Sequence, residues 1–192
     1  MDENLIRNRL EEAIKVQGDV LSDEAILKTL SEVAQSIIGA YNNGNKVLFC
    51  GNGGSAADAQ HLAAELSGRY YLDREPLNAE ALHVNTSYLT ATANDYSFDE
   101  VYSRLVRAKG NKGDILVGIS TSGNSVNVVK AMQVAIEKGI VTIGLTGSKE
   151  SAMDEYCHLL LKVPSNDTPR IQESQMLMGH IICEMVEKEI FG

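Results

Sequence analysis

Short apolar runs that lead into glycine- or serine-rich turns are the feature that most restricts the fold of this chain. The clearest are "KVLFC" (residues 46–50), "DILVGIS" (114–120) and "IVTIGLT" (140–146). Continuously apolar runs of this length are typical of strands that are buried on both faces, as in parallel sheets. Because parallel strands need a crossover connection between them, the pattern predicts strands that alternate with helices.

The remaining segments complete this arrangement. Further strands are predicted at "EALHV" (80–84) and "HLLLKVP" (158–164). Helical spacing of apolar residues predicts helices over 3–18, from Ser22 or Asp23 to the "NNGN" turn at 42–45, from about Ser55, and over 86–95, 97–109, 126–138 and 169–190. We therefore expect a three-layer α/β fold with a doubly wound parallel sheet. We expect one domain, 1–192, whose helical N-terminal segment, 1–44, packs on the α/β core.

Charge and composition narrow the classes of partner. The chain of 192 residues carries a formal net charge of −9 at pH 7, and its pI is about 4.9. An acidic surface disfavours nonspecific binding to nucleic acids and anionic membranes. The N-terminus, "MDENLIRNRLEEA", has no apolar signal-type core, and no apolar stretch reaches the roughly 18 residues of a membrane span. Cys50, Cys157 and Cys183 stand singly in apolar runs, so we expect reduced thiols and a cytoplasmic protein.

The turn after the first apolar run, "GNGGSA" (51–56), has the residues of an anion site. Its glycines permit close approach of a ligand to the backbone, and Ser55 is the predicted N-cap of the following helix. The same letters fit the dinucleotide fingerprint G-x-G-x-x-A, with Asp73 and Glu75 about 20 residues further on. In that fingerprint the acid ends a second strand, whereas "SGRYYL" has no strand-length apolar run. The sequence therefore favours a phosphorylated ligand other than a dinucleotide.

A second loop of the same kind, "STSGNS" (120–125), follows the second clear strand. Its hydroxyl groups and the N–H groups of a helix N-terminus can bind a phosphate without Lys or Arg. Taken alone, each loop also fits an ordinary helix cap. Because two such loops follow two strands of one sheet, we expect one phosphorylated ligand to bind between them.

Two pairs of polar residues lie on predicted helices. His61 and Glu65 are four residues apart, so they share a face, with Cβ atoms about 5–6 Å apart. That spacing suits one metal ion, and it equally fits a plain surface pair. Gln172 and His180 point within about 80° of each other on the last helix. His180 has apolar neighbours, which also fits a core histidine, so spacing alone leaves both interpretations open.

Taken together, the motifs resemble those of the sugar isomerase (SIS) domain family and, within it, the bacterial phosphoheptose isomerases. The resemblance extends over essentially the whole chain and rests on "CGNGGSAADAQHLAAELSGRY", "AND", "GISTSGNSVNVVKA" and "RIQESQMLMGH". It implies an aldose–ketose isomerase that converts sedoheptulose 7-phosphate into D-glycero-D-manno-heptose 7-phosphate through an enediol, the first step of ADP- or GDP-heptose biosynthesis. It also implies a homotetramer whose active sites lie between subunits.

Residue roles follow from the resemblance by position. Glu65 and His180 are the implied acid–base residues. One Zn²⁺ per subunit is implied, held by His61, Glu65, Gln172 and His180. The implied substrate contacts are Asn52, Gly53, Gly54, Ser55, Glu65, Arg69, Asn94, Asp95, Ser120, Thr121, Ser122, Ser125 and Gln172.

One alternative comes from within the same family. A bacterial replication-initiator-associating protein of this fold is a non-enzymatic tetramer that lacks the acid and the histidine matching Glu65 and His180. Because both are present here, the sequence favours an enzyme over a non-catalytic tetramer that binds a sugar phosphate or a protein. Pro169 stands where some of the isomerases carry an acid, so no role is assigned to that position.

Overall fold

The computed structural model describes residues 2–192, which form five strands and seven α-helices. Met1, the first residue of the predicted segment 1–44, lies outside the described residues. The strands are β1 (Val47–Gly51), β2 (Ala79–Ala81), β3 (Ile115–Ile119), β4 (Val141–Thr146) and β5 (Leu159–Lys162). The helices are α1 (Glu3–Ser22), α2 (Glu24–Asn42), α3 (Gly54–Ser67), α4 (Thr86–Asp95), α5 (Val101–Lys109), α6 (Val126–Glu137) and α7 (Thr168–Phe191). Short 3₁₀ segments occupy Phe98–Glu100 and Ala152–Glu155.

All five strands are parallel and pair in the order β2-β1-β3-β4-β5. The chain moves outward from β1 to β2 and then returns past β1 to β3. Open α/β sheets bind ligands at the point where the order reverses, beyond the carboxyl ends of the strands. The loops that follow β1 and β3 are the two predicted phosphate loops, so both meet at this point.

The sheet separates two layers of helices, which confirms the predicted three-layer α/β fold. Side chains alternate along β1: Val47 and Phe49 join the core formed with α1, α2, α3 and α7, whereas Leu48 and Cys50 join the core formed with α5 and α6. This alternation explains why the strands read as continuously apolar, because both of their faces are covered.

The predicted N-terminal helical hairpin is present, and its first helix is longer than predicted. Val16 and Val20 bury one side of α1, which extends the helix to Ser22. Of the two candidate caps, Asp23 begins α2: its Oδ1 accepts hydrogen bonds from the N–H groups of Ala25 at 2.9 Å and Ile26 at 3.2 Å.

Two predicted strands are shorter than expected, and one thiol is less buried. β2 pairs with β1 at three positions only, after which Leu82 and His83 turn the chain towards α4. β5 similarly lies inside the predicted 158–164. Cys50 and Cys183 are buried and Cys157 is half-buried, and all three are free cysteines. Within residues 2–192, no helix is both long and apolar enough to cross a bilayer.

Candidate active site

The glycine turn between β1 and α3 is built differently from the prediction. Gly53 is the N-cap residue of α3 and has a φ of 55°, which favours glycine, and it makes no side-chain cap. The prediction that Ser55 caps the helix is therefore wrong, since Ser55 is buried in the first turn. The first N–H groups of a helix have no partner within it, so without a side-chain cap they are available to an anion.

The acids that would complete a dinucleotide site lie elsewhere. Asp73 and Glu75 belong to the irregular segment between α3 and β2. A dinucleotide site needs an acid at the end of the second strand, where it binds the ribose. The turn is therefore better suited to a phosphate group alone.

Asn52, in the same turn, is held by a residue that the sequence interpretation missed. Asn52 Nδ2 donates to Asn127 Oδ1 at 2.8 Å, and Asn127 Nδ2 donates to Asn52 Oδ1 at 2.9 Å. Asn127 is buried in the first turn of α6 and also accepts from the N–H of Val128 at 2.9 Å. The amide pair joins the loop after β1 to the helix after β3. No local motif signals it, because the partners are 75 residues apart.

The hydroxyl-rich loop after β3 borders a pocket. Ser120 Oγ lies 2.9 Å from Ser125 Oγ and 3.4 Å from Ser122 Oγ. Thr121 and Ser122 line a pocket of about 360 Å³, whose other walls come from the loop after β4 and the start of α7. Lys149, in the loop after β4, gives this pocket a cationic side chain that the sequence interpretation did not single out, and Glu150 beside it gives an anionic one.

His61, Glu65 and His180 form a cluster, which we call the His–Glu–His trio. Nε2 of His61 lies 2.9 Å from Nε2 of His180 and 3.3 Å from Oε1 of Glu65. One donor atom from each residue lies within 4.8 Å of the other two. Two tetrahedral zinc ligands with bonds of about 2.1 Å stand roughly 3.4 Å apart, so the trio has the donor types and approximate spacing of a zinc site. Sequence spacing could not show that His180 lies beside His61 and Glu65, and the structure does.

The aromatic ring of Tyr70 packs beside the trio. Its centroid lies 5.9 Å from that of His180, which in turn lies 5.1 Å from that of His61. Burial, together with the neighbouring Tyr71, raises the pKa of Tyr70 to about 12, so the phenol stays neutral at physiological pH. Tyr70 is the third site neighbour, after Asn127 and Lys149, that the sequence interpretation missed.

Gln172 occupies a different position from the trio. The two residues 172 and 180 are separated by about 12 Å along the axis of α7. The amide of Gln172 lies against Gly54, and a Cβ at that glycine would collide with it. Within one chain, Gln172 therefore contacts the predicted phosphate turn at the start of α3.

Three of the implied substrate residues are exposed and away from these contacts. Asn94 and Asp95 end α4, where Asn94 Nδ2 donates to Asp95 Oδ1 at 2.9 Å. Arg69 is exposed, and among residues 2–192 its side chain makes no hydrogen bond or ion pair. The contacts within one chain do not bring these residues to the trio.

Comparisons with known proteins identify the family of the chain. The sequence model of the SIS domain family matches residues 11–147. The chain is 49% identical to a phosphoheptose isomerase of Aneurinibacillus thermoaerophilus over 97% of this chain and 94% of that protein. It is similar to the structure of a phosphoheptose isomerase from Neisseria gonorrhoeae, with a TM-score of 0.91, 40% identity and coverage of 97% of this chain and 98% of that one.

A second solved structure extends the likeness. A phosphoheptose isomerase from Francisella tularensis matches with a TM-score of 0.93 and 32% identity, covering 98% of this chain and 100% of that one. The similarity therefore includes both predicted phosphate loops, the N-terminal helices and the helix that carries His180. The chain belongs to the SIS domain family and, within it, to the phosphoheptose isomerases, a family of sugar-phosphate isomerases.

Proposed function

We propose that this enzyme converts sedoheptulose 7-phosphate into D-glycero-D-manno-heptose 7-phosphate. The observation that carries the proposal is the His–Glu–His trio, of which His61 and Glu65 lie on α3, the helix that begins at the predicted phosphate turn, while His180 reaches them from α7. The proposed base and the turn that would bind the distal phosphate are thereby placed on one rigid helix. The name of the relatives supports a seven-carbon sugar phosphate as the substrate.

Glu65 is the proposed base and His180 the proposed acid. Glu65 takes a proton from C1 of the ketose, and the electrons of that C–H bond form the C1=C2 bond of an enediolate whose charge lies on the C2 oxygen. The proton of the C1 hydroxyl passes to the C2 oxygen, and C2 then takes a proton from His180 as the C1 oxygen forms the aldehyde C=O. Exchange with solvent removes the proton from Glu65 and replaces the one that His180 has lost. Oε1 of Glu65 faces His61, and its second oxygen makes no hydrogen bond within residues 2–192, so it is available to the substrate. General acid and base groups positioned in this way typically raise the reaction rate about 10²–10⁴-fold.

A zinc ion, one per subunit, is proposed at the trio, with Gln172 of another subunit as a further ligand, because within one chain Gln172 lies against Gly54. His nitrogen and Glu oxygen atoms are donors that zinc accepts, and the short distance between the two histidine nitrogens is compatible with a shared cation. A bound zinc ion would polarise the sugar carbonyl as a Lewis acid. Glu65 and His180 carry both proposed roles, so proton transfer and metal ligation must share the available atoms of these side chains.

The phosphate is proposed to bind between the two loops. Hydroxyl groups of the loop after β3 and N–H groups of the turn after β1 would surround it, and Asn52 is oriented by Asn127. The contributing residues would be Asn52, Gly53, Gly54, Ser55, Ser120, Thr121, Ser122 and Ser125. Binding energy from the remote phosphate would fix the orientation of the sugar at Glu65 and His180.

A homotetramer is proposed to complete the site. α1 exposes an apolar stripe, with Ile6 55%, Leu10 60% and Ile14 71% exposed, and Ile181, next to His180, is 37% exposed. Apolar patches of this kind mark association surfaces. Another subunit would then supply Arg69, Asn94 and Asp95, which the contacts within one chain leave apart from the trio. We place the reaction in the cytoplasm, as the first step towards ADP- or GDP-heptose for a surface glycan such as lipopolysaccharide.

A single assay tests the reaction. The purified chain, incubated with sedoheptulose 7-phosphate, is expected to yield an aldose whose anomeric proton is followed by NMR. Phosphate binding without an aldose product would instead favour a non-catalytic SIS tetramer. Ribulose 5-phosphate, a shorter ketose phosphate, is the control for chain length.

A further inference from the structure

Glu187 lies almost completely buried near the end of α7, with 2% of its surface exposed. Its carboxylate accepts hydrogen bonds from three successive backbone N–H groups, those of Tyr70 at 2.9 Å, Tyr71 at 2.6 Å and Leu72 at 2.9 Å. Consecutive N–H groups that converge on one anion form a nest, which rigidly holds the backbone that supplies them. The carboxylate of Glu187 thus fastens the loop after α3 to α7 through these three hydrogen bonds.

Arg74 completes this network from the other side. Its Nε donates to Glu187 Oε1 at 2.9 Å, and both side chains are 3% exposed. Its remaining N–H groups donate to backbone carbonyls at the end of α3, those of Glu65 at 3.0 Å and Leu66 at 2.8 Å. A cation at a helix C-terminus interacts favourably with the helix dipole and with these free carbonyl groups. The guanidinium therefore binds the backbone of the very residue that is the proposed base.

The network reaches both halves of the trio. Glu187 follows His180 by seven residues, about two turns of the same face of α7. Tyr70, whose N–H group Glu187 binds, places its ring 5.9 Å from His180. The same two side chains therefore link α3, which carries His61 and Glu65, to α7, which carries His180.

We propose that Arg74 and Glu187 are positioning residues of the isomerase site, which set the placement of the His–Glu–His trio and hold Tyr70 against His180. The expected effect on turnover rests on the proposed function. The expected effect on the placement of the trio rests on the geometry alone. A misplacement of about 1 Å at a reacting group can cost 10²-fold in rate, so a modest shift between α3 and α7 is sufficient.

The chain offers a matched control for a role in stability alone. Asp114 is also buried, with 1% exposed, and its carboxylate accepts from Lys46 Nζ at 2.6 Å and from the backbone N–H groups of Asn111 and Lys46. It precedes β3, at the amino end of the sheet, whereas the trio and both phosphate loops lie at the carboxyl end. Removing one partner of either buried pair leaves the other uncompensated and destabilises the fold.

The test compares Glu187→Gln with Asp114→Asn in the full chain. For Glu187→Gln we expect kcat to fall at least about 10-fold with a smaller change in KM, and zinc affinity to weaken about 10–100-fold, as is typical when a residue that orients ligands is lost. Arg74→Lys, which keeps the charge and loses the forked donors, should behave alike, and Glu187→Asp should restore part of the loss. Asp114→Asn should lower the melting temperature with kcat and zinc affinity unchanged.

A readout without turnover separates this proposal from the proposed function. The chain has four histidines, so the imidazole resonances of the metal-free protein can be assigned individually. In Glu187→Gln, or in Arg74→Lys should the former not fold, the resonances of His180 should shift while those of His158 stay in place. Unchanged His180 resonances together with wild-type zinc affinity in a folded variant would overturn the proposal. A wild-type chain without isomerase activity would refute the proposed function and leave this test standing.

Discussion

Gly179 of α7 lies directly against Leu62 of α3, and a Cβ at position 179 would come within 2.7 Å of both Leu62 methyl carbons. Each of these residues is adjacent in sequence to a histidine of the trio, His180 in one helix and His61 in the other. The absence of a side chain at 179 thus allows the helices to approach until the two Nε2 atoms are 2.9 Å apart.

Gly179→Ala should therefore weaken both the fold and the metal site. The added methyl group must displace Leu62, and overpacking of a core typically costs about 1–3 kcal/mol. Denaturant unfolding measures the first effect and zinc titration the second. Gly39→Ala is the control, because nothing lies within 4 Å of a Cβ there and a helical Gly→Ala change usually stabilises by about 0.5–1 kcal/mol. Wild-type zinc affinity in Gly179→Ala would contradict the role assigned to this contact.

Glu65→Gln and His180→Gln should each lower kcat by at least about 10²-fold, the low end for acid–base catalysis. Both residues are partly exposed on helix surfaces, so the folded content seen by circular dichroism should not change. Glu173→Gln, which alters an exposed acid elsewhere on α7, serves as the control and should retain full activity. Near-normal turnover in either of the first two variants would refute the proposed proton-transfer roles.

Thr121→Val should raise KM for the sugar phosphate about 10-fold, since a hydrogen bond to a charged group contributes about 1.5–3 kcal/mol. The Thr121 hydroxyl lines the pocket and makes no hydrogen bond within residues 2–192, so the shape-conserving change should leave the melting temperature intact. Steady-state kinetics measure the effect. Thr29→Val in α2 is the matched control, and an equal KM for both variants would exclude Thr121 from phosphate binding.

Thorough chelation should abolish activity and lower the melting temperature, and added Zn²⁺ should restore both, because a ligand that binds the folded state stabilises it. Differential scanning fluorimetry follows the stability change independently of turnover. His61→Ala should remove the response of the melting temperature to zinc, whereas His158→Ala should keep it. A melting temperature that zinc does not affect in the wild-type chain would argue against the metal site.

Acid should selectively remove the stabilisation that Glu187 provides. The three backbone N–H groups and Arg74 lower the pKa of Glu187 from 4.5 to about 2, against the opposing effect of burial. Because the folded-state pKa is the lower one, the contribution is complete above about pH 4.5 and is lost as the pH falls towards 2. Glu187→Gln should thus be less stable than wild type at pH 7, and the difference in unfolding free energy should shrink at pH 3. A difference that is constant with pH would contradict this linkage.

The sheet and the order of elements could be predicted because each strand carries its own signal. Runs such as "KVLFC" are apolar on both faces, and parallel strands require helices between them. Element ends were less predictable: Ser55 has the chemistry of an N-cap, yet Gly53, with its positive φ, is the N-cap, two residues earlier. Such ends depend on backbone conformation, which residue preference describes only on average.

The residues of the candidate site likewise fall into those that the sequence could predict and those that it could not. The pair on α3 and the hydroxyls of the β3 loop could be identified because they are local in sequence. The meeting of His180 with His61 spans 119 residues, and Asn127, Tyr70, Arg74 and Glu187 act through contacts that no spacing encodes. From residue chemistry alone, spacing left His180 open between a core histidine and a ligand, and only the resemblance to the family favoured the second.

The nest around Glu187 changes what the loop after α3 should look like in solution. Residues 70–72 have no regular secondary structure, and such segments usually exchange their amide protons with solvent rapidly. Here all three amide protons are bound to a carboxylate that is 2% exposed. In hydrogen–deuterium exchange, this irregular stretch should therefore behave as part of the slow core, and its amides would open only when α7 detaches from α3.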